Sequence, residues 1–129
     1  MNKKIERPVI LEGKTYKISN PHLTHAVYIT INDHIDADGN KAPFEIFLNS
    51  KDAENFQWIS ALMRVISAVF RQGGDLFFLA DELKGVFDPR GGYWKKENFI
   101  PSLVSEIGVV IELHLKSIAR KPLEVKESA

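Results

Sequence analysis

Cysteine is missing from this chain, and its absence excludes more chemistry than any residue that is present. None of the 129 residues is a cysteine, so the chain itself holds no disulfide, no thiolate zinc site and no iron–sulfur cluster. A thiol nucleophile and a thiyl radical are excluded for the same reason. Charge of one sign is also not in excess, since 17 Lys and Arg residues balance 17 Asp and Glu residues. This balance argues against general binding to nucleic acid or to an anionic membrane, which relies on excess positive charge.

Long apolar runs are lacking as well. No stretch reaches the roughly 18 apolar residues that a transmembrane helix needs. The charged start at Lys3 and Lys4 is not followed by the apolar segment of a secretory signal. We therefore expect no membrane span, no signal peptide and a cytoplasmic location, which the lack of cysteine also fits.

The length is that of one compact domain. Apolar residues make up 44% of the chain and charged residues 26%, which is ordinary for a globular protein and argues against wholesale disorder. We expect a single α+β domain over residues 8–118. A flexible N-terminus over residues 1–7 and a flexible charged tail over residues 119–129 complete the predicted organisation.

The first half of the sequence predicts an antiparallel sheet of about three strands. Residues 26–32 and 44–48 alternate in character and are rich in β-branched and aromatic residues. Turn chemistry over residues 36–40, including an Asp-Gly pair, joins them as a hairpin, and a short strand at 14–18 extends it to a meander. The residues expected to share a core face are Val27, Ile29 and Ile31 in one strand and Phe44, Ile46 and Leu48 in the other.

The second half predicts three helices, and the first has an unusually wide apolar surface. Ser50 is a favourable N-cap and Gly73-Gly74 a stop signal, which places this helix at about 51–72. At 100° per residue its polar side chains form one narrow stripe, made of Gln57, Ser60, Arg64, Ser67 and Arg71. Because a surface helix buries about a third of its circumference, this helix is expected to be either the central helix of the domain or a helix shared with a partner.

Two further helices complete the predicted fold. Asp75 caps the second, which runs to about Phe87 with a buried stripe of Leu76, Leu79, Ala80, Leu83, Val86 and Phe87. A loop follows through Phe99, and Pro101 and Ser102 open the third helix. Its buried face comprises Leu103, Ile107, Val110, Ile111, His114 and Ile118, and Gly108 predicts close approach of another backbone. The predicted fold class is α+β, with an antiparallel sheet of about three strands packed on a long central helix plus two further helices.

The loop over residues 88–92 is the strongest candidate for a ligand site. Its two glycines let backbone N–H groups approach a ligand, and its arginine can clamp an oxyanion. The predicted residues for binding a phosphate, a nucleotide or a partner's carboxylate are Arg64, Arg71, Lys84, Asp88, Arg90, Gly91 and Gly92. The alternative is that Asp88 pairs with Arg90 or Arg71 and that the loop only connects two helices.

Aromatic residues supply the candidates for a partner interface. Phe77, Tyr93 and Trp94 are expected to be exposed, and large exposed aromatics favour interfaces. No nucleophile with a base and no phosphate-loop or hydrolase motif occurs, so no catalytic residue is predicted. His22 and His25 supply only two of the three or four ligands that a metal site needs, so no metal and no cofactor is predicted for this chain.

A series of short segments forms a recognisable pattern in its order along the chain. The segments are residues 15–17, 28–33, 43–51, 66–71, 73–75, 82–84, 86–92, 101–103 and 107–114. Together they resemble the C-terminal region of adenosylcobalamin-dependent (class II) ribonucleotide reductases, which contains the TSCPD-type domain. The similarity covers about residues 8–115. The Thr-Ser-Cys-Pro-Asp motif that names the domain, the family's active-site cysteines and the cysteine-rich tail of longer members have no counterpart here.

The resemblance implies a non-catalytic accessory or regulatory module in deoxyribonucleotide synthesis. In that family, reduction proceeds through a cysteine thiyl radical, so a chain without cysteine is not expected to be an enzyme on its own. It resembles the accessory part of ribonucleoside-diphosphate reductase, and the expected partner is the class II large subunit on which it would dock. Two alternatives remain open: a stand-alone nucleotide- or phosphate-binding domain, and a homodimeric structural protein whose interface covers the apolar helix.

Overall fold

A computed structural model describes residues 6–51 and 56–119. The elements in these residues divide into a first unit that ends at Gly74 and a second unit that begins at Asp75. Of the predicted flexible ends, only Glu6, Arg7 and Ala119 belong to the described residues. The other residues of those two segments lie outside them.

The first unit contains the predicted three-stranded antiparallel sheet. Its strands are β1 (Glu12–Ile18), β2 (Val27–Ile35) and β3 (Lys41–Asn49), paired in the order β1-β2-β3. Alternation sets which side chains of β2 are buried, namely those of Val27, Ile29 and Ile31, whereas β3 buries four residues in succession, from Pro43 to Ile46. The meander and the core face of β2 are therefore confirmed.

The predicted turn between β2 and β3 is also confirmed. The Asp36 carboxylate accepts the backbone N–H groups of Asp38 and Asn40, each at 2.9 Å. Gly39 has a φ of +84°, a conformation that glycine adopts without a steric penalty. Beyond the turn, the register shifts between Asn32 and Asp33, a β-bulge that leaves Phe44 without a residue opposite it.

Helix α1 (Phe56–Gln72) packs on β3, but it differs from the predicted central helix. Lys51 lies in a bend, so the helix does not begin there, and residues 52–55 lie outside the described part of the chain. The predicted central packing of this helix is not confirmed, and the alternative that a partner covers its apolar surface stays a prediction. Trp58 is 70% exposed and Val65 59% exposed, and the apolar residues of α1 that are buried are Met63, Ile66 and Phe70. The physical reason is that a single sheet face covers only one side of a helix.

The second unit consists of helix α2 (Leu76–Lys84), strands β4 (Tyr93–Lys95) and β5 (Asn98–Ile100), and helix α3 (Leu103–Ala119). Helix α2 is shorter than predicted because Gly85 caps it. Val86 and Phe87, which were predicted to be buried, are therefore exposed. The predicted loop through Phe99 is in fact the antiparallel β4–β5 hairpin.

Helix α3 follows the prediction closely. The Ser102 hydroxyl accepts the backbone N–H of Ser105 at 2.9 Å, which starts the helix as expected. Gly108 lies against α2, and a β-carbon built there would come within 2.8 Å of the carbonyl oxygen of Ala80. The predicted close approach of another backbone is thus confirmed. No helix formed by the described residues combines the length and apolar character needed to cross a bilayer.

Candidate functional site

The predicted anion-binding residues divide between the two units. Arg64 and Arg71 lie on α1 in the first unit. Lys84 is the last residue of α2, and the other four, Asp88, Arg90, Gly91 and Gly92, lie in the loop that leads to β4.

The loop of the second unit is organised around Asp88. Its carboxylate accepts the backbone N–H of Arg90 at 2.9 Å and the Arg90 guanidinium at 2.8 Å. The N–H of Gly91 donates to the Asp88 carbonyl at 2.8 Å, and Gly91 has a φ of +98°. The pairing of Asp88 with Arg90, named above as the alternative to a ligand site, is therefore present. An anion would have to compete with Asp88 for Arg90, and anion binding by the loop stays a prediction.

An ion pair with Glu112 holds the Lys84 side chain against α3. Its ammonium lies 2.6 Å from a Glu112 carboxylate oxygen and 3.8 Å from an Asp81 oxygen. The hydrogen bond that Lys84 donates to Glu112 is the main cause that raises the pKa of Lys84, and the same bond lowers the pKa of Glu112. The charge of Lys84 is thus already balanced within the unit.

Tyr93 is buried, so the expectation that it is an exposed aromatic is wrong. The side chain is 5% exposed, and its hydroxyl donates to Glu106 Oε1 at 2.6 Å. The other Glu106 oxygen forms a salt bridge with Lys95. Burial raises the pKa of Tyr93 most, and the hydrogen bond to Glu106 adds to the shift. This network attaches the β4–β5 hairpin to α3, and a tyrosine in it cannot contact a partner.

Trp94 takes the outward position that alternation assigns to the residue after Tyr93. It is 67% exposed and lies opposite Phe99, which is 51% exposed. The two ring centroids are 5.2 Å apart in an edge-to-face arrangement. We call these two side chains the hairpin aromatic pair. Phe77, the third interface candidate, is 36% exposed on α2.

The first unit has a groove between β3 and α1 with a volume of about 650 Å³. We call it the β3–α1 groove. Strand residues from Glu45 to Asn49 form one side, and the helix contributes both predicted arginines, Arg64 and Arg71, to the other. The guanidinium carbon of Arg71 lies 5.5 Å from the centre of the Phe44 ring, at the distance of a cation–π contact.

Glu45, at one end of this groove, is buried and paired. The Arg7 guanidinium donates to both of its oxygens, at 3.0 and 2.9 Å, and the Asn32 amide donates at 2.8 Å. The pKa of Glu45 is lowered, chiefly by the hydrogen bonds from Arg7. Sequence reasoning missed this contact because Arg7 and Glu45 are 38 residues apart and no local pattern links them.

The described residues bring no set of three or more His, Asp or Glu side chains together in a way that could hold a metal ion. Sequence reasoning also missed Phe99, which forms part of the candidate surface, and Glu106, which holds the hairpin from below that surface. A hairpin prediction would have paired Trp94 with Phe99, but strands of three residues give too short a pattern to detect.

Comparison with known proteins gives one result. The family model described as the TSCPD domain matches residues 2–115, which is nearly the whole chain. No curated protein and no solved structure gives a significant match. The TSCPD domain is found in the C-terminal region of class II ribonucleotide reductases, as the resemblance implied. This chain therefore belongs to the TSCPD domain family.

Proposed function

We propose that this chain is an accessory module that docks on the catalytic chain of an adenosylcobalamin-dependent ribonucleotide reductase. Membership of the TSCPD family supports a role related to that enzyme. The lack of cysteine supports a role in assembly rather than in the radical step, which in the family uses a thiyl radical. The module carries no cofactor of its own in this proposal.

The hairpin aromatic pair is the observation that carries the proposal. Trp and other aromatic residues dominate the binding energy of many interfaces, because they bury a large apolar area with few rotatable bonds. Here two of them are in contact with each other before any partner arrives. Because Tyr93 and Lys95 attach the hairpin to Glu106, less ordering is required on binding.

The test is a calorimetric titration of the chain with a class II large subunit. The double variant Trp94→Ala/Phe99→Ala is expected to weaken binding by tenfold or more, since a buried interface tryptophan contributes about 2 kcal/mol or more. Trp58→Ala is the matched control, because Trp58 is equally exposed but lies in the first unit. It should change the affinity less than about twofold.

Tryptophan fluorescence provides a second readout, because the chain has two tryptophans and each unit carries one. In a Trp58→Phe variant the emission comes from Trp94 alone, and docking should shift it to shorter wavelength. In a Trp94→Phe variant, Trp58 should not respond to the large subunit. If the chain does not bind at micromolar concentration, or if only Trp58 responds, the proposal is wrong. A Trp58 shift that depends on the concentration of the chain alone would instead indicate the homodimer.

A nucleotide or phosphate ligand at the loop of residues 88–92 is the second candidate function. It is favoured by the exposure of the Arg90 side chain, 72%, and by the open space above Gly91. Added ATP, deoxynucleotides or phosphate should then raise the melting temperature. Arg90→Ala should abolish this shift, whereas Asp88→Asn should increase it by removing the competing carboxylate. Equal shifts in both variants would exclude the loop as the site.

A further inference from the structure

The β3–α1 groove lies along the free edge of the sheet. Among the described residues, β3 pairs on one side only, with β2. The Ile46 N–H turns away from β2 and donates to the Ser67 hydroxyl at 3.0 Å. Because strand residues alternate in the direction of their backbone groups, Leu48 turns its N–H and C=O to the same side. The edge at Leu48 therefore presents a donor and an acceptor to the groove.

The charge of the groove is positive. Its one carboxylate, Glu45, is already neutralised by Arg7. Arg64 and Arg71 are both exposed, and although Arg71 also interacts electrostatically with Glu45, the groove keeps a positive excess. Arg64 has no carboxylate partner among the described residues, and Arg71 contacts the Phe44 ring. A ligand with negative charge is thus favoured along the helix side of the groove.

The spacing of the two arginines suits an extended chain. Residues seven apart on a helix lie about 10 Å apart along its axis and on nearly the same face. Side chains on one face of a strand lie about 7 Å apart, or about 13 Å for every second one. The carboxylates of a bound extended peptide would therefore lie about 7 or about 13 Å apart, and the flexible side chains of Arg64 and Arg71 can reach either pair.

We propose that the β3–α1 groove docks an extended acidic peptide segment of a partner protein. The segment pairs with β3 at Leu48 and places its carboxylates on Arg64 and Arg71. Backbone hydrogen bonds at a sheet edge then supply affinity, and the arginines supply the preference for acidic residues. This surface is independent of the hairpin aromatic pair, which lies in the other unit.

The experiment uses a fluorescein-labelled peptide of alternating Glu and Thr, which favours the extended conformation. Its anisotropy should rise when the full chain is added, and the same peptide with Lys in place of Glu should bind at least about tenfold more weakly. Arg64→Gln/Arg71→Gln should weaken binding of the Glu peptide by about tenfold, which corresponds to two exposed ion pairs. Lys17→Gln/Lys41→Gln removes the same charge from exposed positions of the same unit outside the groove. This control should change the affinity less than about twofold.

A second variant tests the groove without touching the arginines. Ala68 is exposed on the groove and Val65 is exposed outside it, so Ala68→Glu should weaken binding of the Glu peptide and Val65→Glu should not. In NMR spectra, the amide of Leu48 should shift and exchange more slowly with the peptide bound. Equal binding of the Lys peptide overturns the proposal. So does a response of the arginines to inorganic phosphate without any change at Leu48, which would make the groove a small-anion site.

Discussion

Each unit of the molecule buries a glutamate, but the two carboxylates are held differently. Glu45 on β3 is 6% exposed and Glu106 on α3 is 4% exposed. The two oxygens of Glu45 are both bound by the fork of one guanidinium, that of Arg7. The two oxygens of Glu106 are divided between the ammonium of Lys95 and the hydroxyl of Tyr93.

The two sites differ in how well their donor groups are solvated once the carboxylate is removed. The side chain of Arg7 is 51% exposed, so water can solvate it if Glu45 is removed. The hydroxyl of Tyr93 is buried and would keep only its longer contact with the Ser102 carbonyl, at 3.3 Å. A buried donor without a strong acceptor costs more than an exposed ion that returns to water. The second unit should therefore be the more sensitive of the two to loss of its glutamate.

The largest effect is expected for Glu106→Ala. Removing this carboxylate leaves Lys95 without its partner and Tyr93 with only the Ser102 carbonyl, and should lower the free energy of unfolding by about 3 kcal/mol. Glu112→Ala, on the same helix, is the control and should cost about 1 kcal/mol because its pair with Lys84 is only partly buried. Urea unfolding followed by circular dichroism measures both. Equal losses of unfolding free energy in the two variants would mean that the buried Glu106 network stabilises the fold no more than the Glu112–Lys84 pair does.

Glu45→Gln should cost less, about 2 kcal/mol at pH 7. Because the native pKa of Glu45 is lowered, its stabilisation is complete above the unfolded pKa of about 4.3 and is lost as the pH falls through the native value. The difference between the native chain and the variant should therefore shrink below pH 4. Urea unfolding at pH 7 and pH 3 tests this, and a difference that does not depend on pH would contradict the ion pair.

Tyr93→Phe isolates the neutral donor of the second unit. At pH 7 it should cost about 1 kcal/mol, because Glu106 keeps Lys95 as its partner. The native pKa of Tyr93 is raised, so this stabilisation is complete below the unfolded pKa of about 10 and is lost as the pH rises above it. Unfolding at pH 7 and near pH 11 should show the advantage of the native chain disappearing. An advantage that persists at high pH would mean that the Tyr93 hydroxyl is neither buried nor bonded to Glu106 in the folded chain, so that its pKa is not raised.

The smallest effect on stability is expected for the exposed tryptophans, one in each unit. Trp94→Ala and Trp58→Ala should each change the free energy of unfolding by less than about 0.5 kcal/mol. The same unfolding experiment measures both. A large loss for Trp94→Ala would mean that the hairpin aromatic pair supports the fold, and the assignment of that pair to an interface would then fail.

The sequence predicted the sheet well because its strands are long enough to show alternation. Val27, Ile29 and Ile31 alternate over a strand of nine residues, and an Asp-Gly turn marks its end. The third helix and Gly108 were predicted for similar reasons, since they belong to a long periodic pattern. The family resemblance came from many short segments in order and was confirmed by the TSCPD match.

The features that the sequence did not predict depend on very short strands or on contacts between residues that are far apart in the chain. The β4–β5 hairpin has strands of three residues, and the positive φ in its turn falls on Lys96 rather than on the glycine or asparagine that usually marks one. The wide apolar surface of α1 predicted burial, but periodicity cannot say how many elements are available to cover it. Of the candidate site, Trp94 was found and Phe99 was missed, because their contact exists only across the hairpin.

The missing side chain at Gly108 has an effect beyond its own position. Helices approach as closely as the side chains between them allow, and here the nearest atoms of α2 are the Ala80 carbonyl oxygen, Leu83 Cβ and Lys84 Cγ. One turn before Gly108, the Ser105 hydroxyl donates to the Lys84 carbonyl at 2.9 Å, and one turn after it, Glu112 receives the Lys84 ammonium. Because Gly108 carries a hydrogen atom where alanine would carry a methyl group, the two helices lie close enough for both polar contacts to form.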